Sequence, residues 1–136
     1  MQTFAINYLA LLVATLAKFF IGFVWFTFIF SKPWAALQKM TPEQMGNKTV
    51  MIRGMVTDLV GGFIMAYVLV HAVHYAGATT LGQGVIVGFF NWLGFIGVTT
   101  LSSNTWENRP FPLWLINNGY LLLSLLVMGA IVAVWV

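Results

Sequence analysis

The sequence predicts an all-α fold, an integral membrane bundle of four transmembrane helices. The chain has 136 residues, of which 60% are hydrophobic and only 7% are charged, whereas soluble domains carry about 25% charged residues. Four apolar runs are long enough to cross a hydrocarbon core of about 30 Å, which takes about 20 helical residues. These runs are continuous and do not alternate, which excludes a transmembrane β-barrel.

The four predicted helices form a single membrane domain, 1–136, and cover about residues 5–30, 54–76, 82–102 and 113–136. No basic segment precedes the first run, and the run is too long for a signal peptide, so we expect it to remain as a helix. In the connection that follows, Pro33 suits a first helical turn, and Trp34 and Leu37 share a face. They predict a short interfacial helix anchored by Trp34, with a plain connector as the alternative.

The placement of lysine and arginine predicts the orientation of the bundle. The cations of the connections are Lys32, Lys39, Lys48 and Arg53 in loop 31–53 and Arg109 in loop 103–112. The remaining connection and both ends of the chain carry none, so the positive-inside rule places these two loops in the cytoplasm and both termini outside. The net charge of +3 is therefore interpreted as a topology signal, and no nucleic-acid partner is expected.

Small and polar residues predict which helix faces meet, because membrane helices associate through close packing and interhelical hydrogen bonds. The four predicted stripes are Ala14, Lys18, Gly22 and Trp25; Gly61, Gly62 and Ala66; Gly84, Gly88 and Asn91; and Asn117, Tyr120, Ser124 and Met128. We expect these stripes to meet in the bundle interior. The glycine-rich third helix is also compatible with a homodimer or a higher homo-oligomer.

Lys18 is the one charge in the middle of an apolar run. It lies about 18 Å from the cytoplasmic end of its helix, beyond the reach of about 6 Å that its side chain has. A buried lysine costs about 3 kcal/mol on insertion scales and needs partners or water. It either fixes packing, held by Asn91, carbonyl groups or Asp58, or it faces a cavity, where it meets an anion or releases its proton.

The stretch "NTWENRPFPLWLINNGY", residues 104–120, is polar at the mouth of the fourth run. Its prolines suit a bend and a helix start. Glu107 and Arg109 are two residues apart and would not face each other on a helix, so we expect them to pair with Arg53 or Asp58. Asn117 lies about 7 Å inside its helix, at the depth of Asp58.

These residues predict one cytoplasm-facing pocket that binds a small ligand. Its candidate residues are Asp58, Asn104, Glu107, Arg109, Asn117 and Tyr120, with Lys18 and Asn91 deeper in the bundle. The alternative interpretation is a structural clasp that closes the end of the bundle, because interfacial ion pairs commonly serve topology and packing.

The chain resembles domain-of-unknown-function family 1761, small bacterial membrane proteins. The resemblance rests on "IGFVWFTFIFSKPW", "MAYVLVHAV", "GATTLGQGVIVGFFNWLGFIG" and, above all, "NTWENRPFPLWLINNGY". Its distinctive signature combines an asparagine, Glu107, Arg109–Pro110, Asn117 and Tyr120. The resemblance implies a four-helix architecture in a bacterial membrane, and it does not indicate an activity. Lys18 is not part of the family pattern.

Enzyme signatures are missing from the sequence: it has no phosphate-binding glycine loop, no zinc-protease helix and no cysteine. His71 and His74 are one turn apart and lack a third ligand at their level, so they are interpreted as interfacial aromatics, and no metal or cofactor is expected. Two functions remain open. One is a small permease or channel-like oligomer for a small, anionic ligand, and the other is a non-catalytic module that binds lipid or a partner protein.

Overall fold

The structure is a computed structural model that describes residues 5–39, 41, 43 and 46–135. All regular elements of these residues are helical, and four helices are long and apolar enough to cross a membrane. We call them span 1 (Tyr8–Ile29), span 2 (Lys48–Tyr75), span 3 (Leu81–Trp106) and span 4 (Phe111–Val134). The predicted all-α bundle of four membrane-length helices is therefore confirmed.

Spans 1 and 3 each change their hydrogen-bonding pattern along their length. Span 1 is α-helical over Tyr8–Val24 and π-helical over Trp25–Ile29. Span 3 is α-helical over Leu81–Asn91, π-helical over Trp92–Gly97 and α-helical again over Val98–Trp106. A π-helical turn widens the helix by one residue and is frequent at functional sites.

The starts of the spans follow from side chains that cap free backbone N–H groups. The Asn7 side chain accepts hydrogen bonds from the N–H groups of Leu9 and Ala10. At the start of span 3, Thr80 and Gln83 form a reciprocal capping box. Such caps fix where each helix begins, because they satisfy donors that have no partner within the helix.

Span 2 begins earlier than predicted, at Lys48 and not near residue 54, because Asn47 caps the N–H of Val50 at 3.2 Å. Arg53 therefore belongs to the helix and not to a loop. Span 4 begins at Phe111, so the predicted loop 103–112 shortens to residues 107–110. The predicted fourth helix extends to Val136, which lies outside the described residues.

The short helix predicted in the first connection is present as Ser31–Gln38. It ends at Lys39, whose φ of 55° is left-handed and stops the helix. The helix lies against span 4, since Trp34 Nε1 donates to Asn117 Oδ1 at 3.0 Å. This contact holds the first connection at the same end of the bundle as residues 107–110.

The apolar core lies between spans 1, 2 and 4. Its members include Leu11 and Ala14, Ala66 and Leu69, and Leu125 and Met128. Span 4 is the central helix, with 39% of its most apolar window buried, whereas span 3 has 17%. The polar and small residues of span 4 are therefore the ones that meet all the other helices.

Spans 3 and 4 touch through their backbones. A Cβ on Gly84 would overlap the carbonyl of Gly129 and lie 2.6 Å from the Ala133 Cβ, and one on Gly88 would overlap the carbonyl of Leu125. The predicted inward face of Gly84 and Gly88 is therefore used within one chain. The prediction was wrong for Gly61, because a Cβ there has nothing within 4 Å.

We expect Gly88→Ala to destabilise the bundle by about 1–3 kcal/mol, because the added methyl group must push span 3 away from the Leu125 backbone. Thermal unfolding in detergent, followed by circular dichroism, measures the change. Gly61→Ala is the matched control and should be neutral or slightly stabilising, since alanine favours the helix and meets no neighbour. Equal effects of the two substitutions would contradict the close contact.

Candidate functional site

The turn between spans 3 and 4 is built around a left-handed asparagine. Asn108 has φ 53°, a conformation that asparagine tolerates better than most residues. The N–H of Arg109 donates to the carbonyl of Asn104 at 3.0 Å, and that of Asn108 to the carbonyl of Thr105 at 3.1 Å. This is the pattern that ends a helix with a left-handed residue. The Asn104 side chain also donates to the carbonyl of Arg109 at 3.1 Å, which closes the turn.

Glu107 and Arg109 pair with each other, with 3.5 Å between Oε2 and Nε. The prediction that they would pair with Arg53 or Asp58 was wrong. Two residues that are two positions apart face away from each other on a helix, but Glu107 and Arg109 flank the left-handed Asn108 and are not on one helix. Their side chains are 60% and 47% exposed. An exposed pair contributes at most about 1 kcal/mol to stability, so it holds the Arg109 side chain only weakly.

A polar cavity of about 200 Å³ opens beside this turn, and we call it the mouth cavity. It is lined by Thr100, Ser103, Asn104, Glu107, Arg109, Trp114, Asn117, Asn118 and Leu121. The structure thus brings together Asn104, Glu107, Arg109 and Asn117 of the predicted pocket. Hydroxyl, amide and guanidinium groups line one side, so the cavity can hold a small molecule by hydrogen bonds.

A hydrogen-bond network forms the inner wall of the mouth cavity. Trp114 Nε1 donates to Thr100 Oγ1 at 3.1 Å, and Asn118 Nδ2 donates to the carbonyl of Trp114 at 3.3 Å. The Thr100 hydroxyl lies 3.0 Å from Asn118 Oδ1 and 2.6 Å from the carbonyl of Ile96, to either of which it can donate. Sequence reasoning missed Thr100 and Asn118; the repeated asparagine in "INNGY" was the only signal for either.

Arg109 keeps hydrogen-bonding capacity for a ligand. Its Nε faces Glu107 and its Nη2 donates to Gln38 Oε1 at 3.4 Å. A guanidinium has five N–H donors, so three remain without a partner among the described residues. Arg109 therefore lines the cavity with N–H donors that no described residue accepts.

Lys18 is buried against Tyr120 of span 4. Its Nζ donates to the Tyr120 hydroxyl at 2.7 Å, and the two residues are 5% and 9% exposed. A Cβ on Gly62 would lie 3.5 Å from Lys18 Cδ, and one on Gly22 would lie 3.0 Å from the Tyr120 ring. The two glycines thus provide the space in which the lysine and the tyrosine meet.

The partners that the sequence suggested for Lys18 lie elsewhere. Asn91 donates to the carbonyl of Val87 at 2.8 Å and lines an apolar groove between spans 2 and 3. Asp58 is exposed. The sequence did not suggest Tyr120 as the partner, because tyrosine carries no charge and the expected partners were a carboxylate, an amide and backbone carbonyl groups.

A second cavity of about 200 Å³ lies on the other side of span 4, and we call it the aromatic cavity. It is lined by Phe19, Gly22, Phe23, Phe26, Thr27, Met55, Asp58 and Tyr120. The one predicted pocket is therefore divided: Asp58 and Tyr120 line the aromatic cavity, and Asn104, Glu107, Arg109 and Asn117 line the mouth cavity. Lys18 and Asn91 line neither of them. Asn118 and Tyr120 are two residues apart, which is about 200° around a helix, so they face opposite sides of span 4.

The histidines of span 2 lie at the far end of the bundle. His71 Nδ1 is 2.7 Å from the carbonyl of Tyr67, and the two rings are 4.7 Å apart between centroids. Among the residues that the structure describes, no three His, Cys, Asp or Glu side chains lie close enough to hold a metal ion.

Comparisons with known proteins give one match. A family model described as "Protein of unknown function (DUF1761)" matches residues 9–133 of the chain. No curated protein and no solved structure matches it. The matched range covers spans 2 and 3, all but one terminal residue of spans 1 and 4, and every residue that lines the two cavities.

We expect Tyr120→Phe to destabilise the protein by about 1.5–3 kcal/mol, because Lys18 loses the acceptor of its charge-assisted hydrogen bond. Unfolding of the purified protein in detergent measures the loss. Tyr8→Phe is the control, since Tyr8 is 59% exposed, and it should change stability by less than about 0.5 kcal/mol. A Tyr120→Phe variant as stable as the control would show that the hydrogen bond is not needed.

Proposed function

The chain belongs to the DUF1761 family, whose description assigns no activity, and from this premise we propose that it binds a small anionic molecule in the mouth cavity. The observation that carries the proposal is that Arg109 lines the mouth cavity and keeps three N–H donors without a partner among the described residues. Guanidinium groups suit carboxylate and phosphate because their donors match the geometry of two oxygens.

The charges around the mouth cavity support an anionic ligand. Lys32, Lys39, Lys48 and Arg53 lie in or beside the connections at this end of the bundle, and Glu107 is the one acid among the described residues that line the cavity. None of these four cations lines the cavity, whose own charges, Glu107 and Arg109, are paired, and Glu43 lies in the same connection. The cations therefore favour an anion only through the net positive field at this end of the bundle. The volume of about 200 Å³ is the space of about seven water molecules, which limits the ligand to a small one.

Transport would require more than one chain or a movement of the spans. Below the mouth cavity, the interior is filled by core side chains such as Leu125 and Met128. The π-helical stretch Trp92–Gly97 adjoins the cavity wall, since the Thr100 hydroxyl lies beside its carbonyl groups. A helix that already departs from regular bonding is suited to rearrange. We therefore propose a small permease or channel-like homo-oligomer.

The alternative is a non-catalytic module that binds an anionic lipid headgroup. Trp106, beside the turn, is 88% exposed, and Phe111 is exposed as well. Aromatic residues of this kind anchor proteins at the membrane interface, where lipid phosphates lie. In either case we propose that the protein resides in the bacterial inner membrane, with the cation-rich end in the cytoplasm and both termini outside.

We expect Arg109→Gln to weaken binding of a small anion at least tenfold, because it removes the guanidinium from the cavity edge. The probes are inorganic phosphate and acetate, measured by uptake into proteoliposomes and by calorimetry with the purified protein. Arg53→Gln is the matched control, and Lys18→Met should also bind normally, since Lys18 does not line the cavity.

The proposed ligand class would be contradicted if the wild type bound neither probe. It would also be contradicted if Arg109→Gln bound both probes as tightly as the wild type. Calorimetric binding without uptake would favour the lipid-headgroup alternative. In that case vesicles of phosphatidylglycerol should compete with phosphate for the site.

The proposed orientation can be tested by single-cysteine labelling, since the chain contains no cysteine. In spheroplasts, a membrane-impermeant maleimide should label Thr79→Cys from outside and should label Lys39→Cys only after permeabilisation. The reverse result would place the cation-rich end outside.

A further inference from the structure

The aromatic cavity is lined by one carboxylate, Asp58, for which the described residues provide no partner. Asp58 lies about 15 Å along span 2 from Lys48 by the helical rise. Among the described residues it makes no hydrogen bond and no ion pair, and the one salt bridge joins Glu107 and Arg109. A carboxylate within a membrane span needs a countercharge or water. Asp58 is exposed, so its carboxylate is open to water or to a cation from outside the chain.

Aromatic rings form the rest of the wall. Phe19, Phe23, Phe26 and Tyr120 line the cavity together with Asp58. The Phe26 and Tyr120 rings meet edge to face, with 5.3 Å between centroids and 72° between planes. Aromatic faces attract cations through the ring quadrupole. A carboxylate among aromatic rings is the chemistry that recognises an organic ammonium group.

We propose that the aromatic cavity is a binding site for a small organic cation, with its charge at Asp58 and its alkyl groups against the phenylalanine rings. The volume of about 200 Å³ admits a small alkylammonium. The lining residues come from spans 1, 2 and 4, so the site is separate from the mouth cavity and does not depend on the function proposed for it.

Lys18 forms no ion pair with Asp58, since the one salt bridge among the described residues joins Glu107 and Arg109. Its Nζ is hydrogen-bonded to Tyr120, 5.0 Å from the centre of that ring, and the residue does not line the cavity. Tyr120 therefore separates the resident ammonium of Lys18 from the cavity. The positive charge of Lys18 repels a second cation nearby and so weakens its binding. The cavity should therefore bind cations more tightly when Lys18 is replaced by a neutral residue.

The probe for this site is tetramethylammonium, titrated calorimetrically into the purified protein in dodecyl maltoside, an uncharged detergent without ammonium groups. We expect saturable binding to the wild type and none of sodium at equal ionic strength. Asp58→Asn should weaken binding at least tenfold, and Phe23→Leu several-fold. Glu107→Gln, the matched change at the mouth cavity, should leave binding unchanged. Circular dichroism shows whether each variant is folded.

The absence of saturable binding to the wild type, or equal affinity in a folded Asp58→Asn variant, would overturn the proposal. Lys18→Met gives an independent test, since tighter binding supports the site and weaker binding by the folded variant contradicts it. Repeating the titration in phosphatidylcholine nanodiscs identifies the source of the cation. Competition by the lipid points to a choline headgroup, and unchanged affinity points to a free solute; both results support an ammonium site.

Discussion

The bundle depends on how a buried ammonium group is satisfied at mid-membrane depth. Hydrocarbon offers Lys18 no hydrogen-bond acceptor, so the protein has to bring one to it. The acceptor is the Tyr120 hydroxyl, at 2.7 Å. For the two side chains to meet, Gly22 and Gly62 must leave room beside them. This hydrogen bond, made by one of the three N–H donors of the ammonium, therefore joins spans 1 and 4 beside Gly62 of span 2, and the same three spans enclose the apolar core.

The rotation of span 4 decides where polar chemistry occurs in this protein. Tyr120 faces span 1, whereas Asn118 faces the network of Thr100 and Trp114. The central helix thus separates two cavities of equal size, one polar and one aromatic. Each contains one carboxylate, but Glu107 is paired with Arg109 and Asp58 has no partner among the described residues. For this reason we propose an anion for the first cavity and a cation for the second.

Sequence reasoning predicted those parts of the fold that depend on composition and local pattern. Four long apolar runs gave the four spans, and the proline and tryptophan after the first run gave the short helix Ser31–Gln38. Gly84 and Gly88 were expected to mark a close contact, which they do. For Lys18 two alternatives were open, a packing role with Asn91, carbonyl groups or Asp58 as partner and a role in a cavity, and neither included Tyr120. Hydropathy did not predict that span 2 begins at Lys48, because the first turns of this helix are polar and precede the apolar run.

The site was predicted only in part, because its arrangement depends on dihedral angles and helix rotation that the sequence does not specify. The pairing of Glu107 with Arg109 depends on a left-handed Asn108, and a count of residues along a helix could not show it.

The most direct test of the account is a double-mutant cycle of Lys18→Met and Tyr120→Phe on unfolding free energy. Residues in direct contact couple by about 0.5–3 kcal/mol, and we predict at least about 1 kcal/mol for this pair. Additive effects of the two substitutions would mean that the lysine is satisfied in another way, and the central contact of the bundle would be wrong.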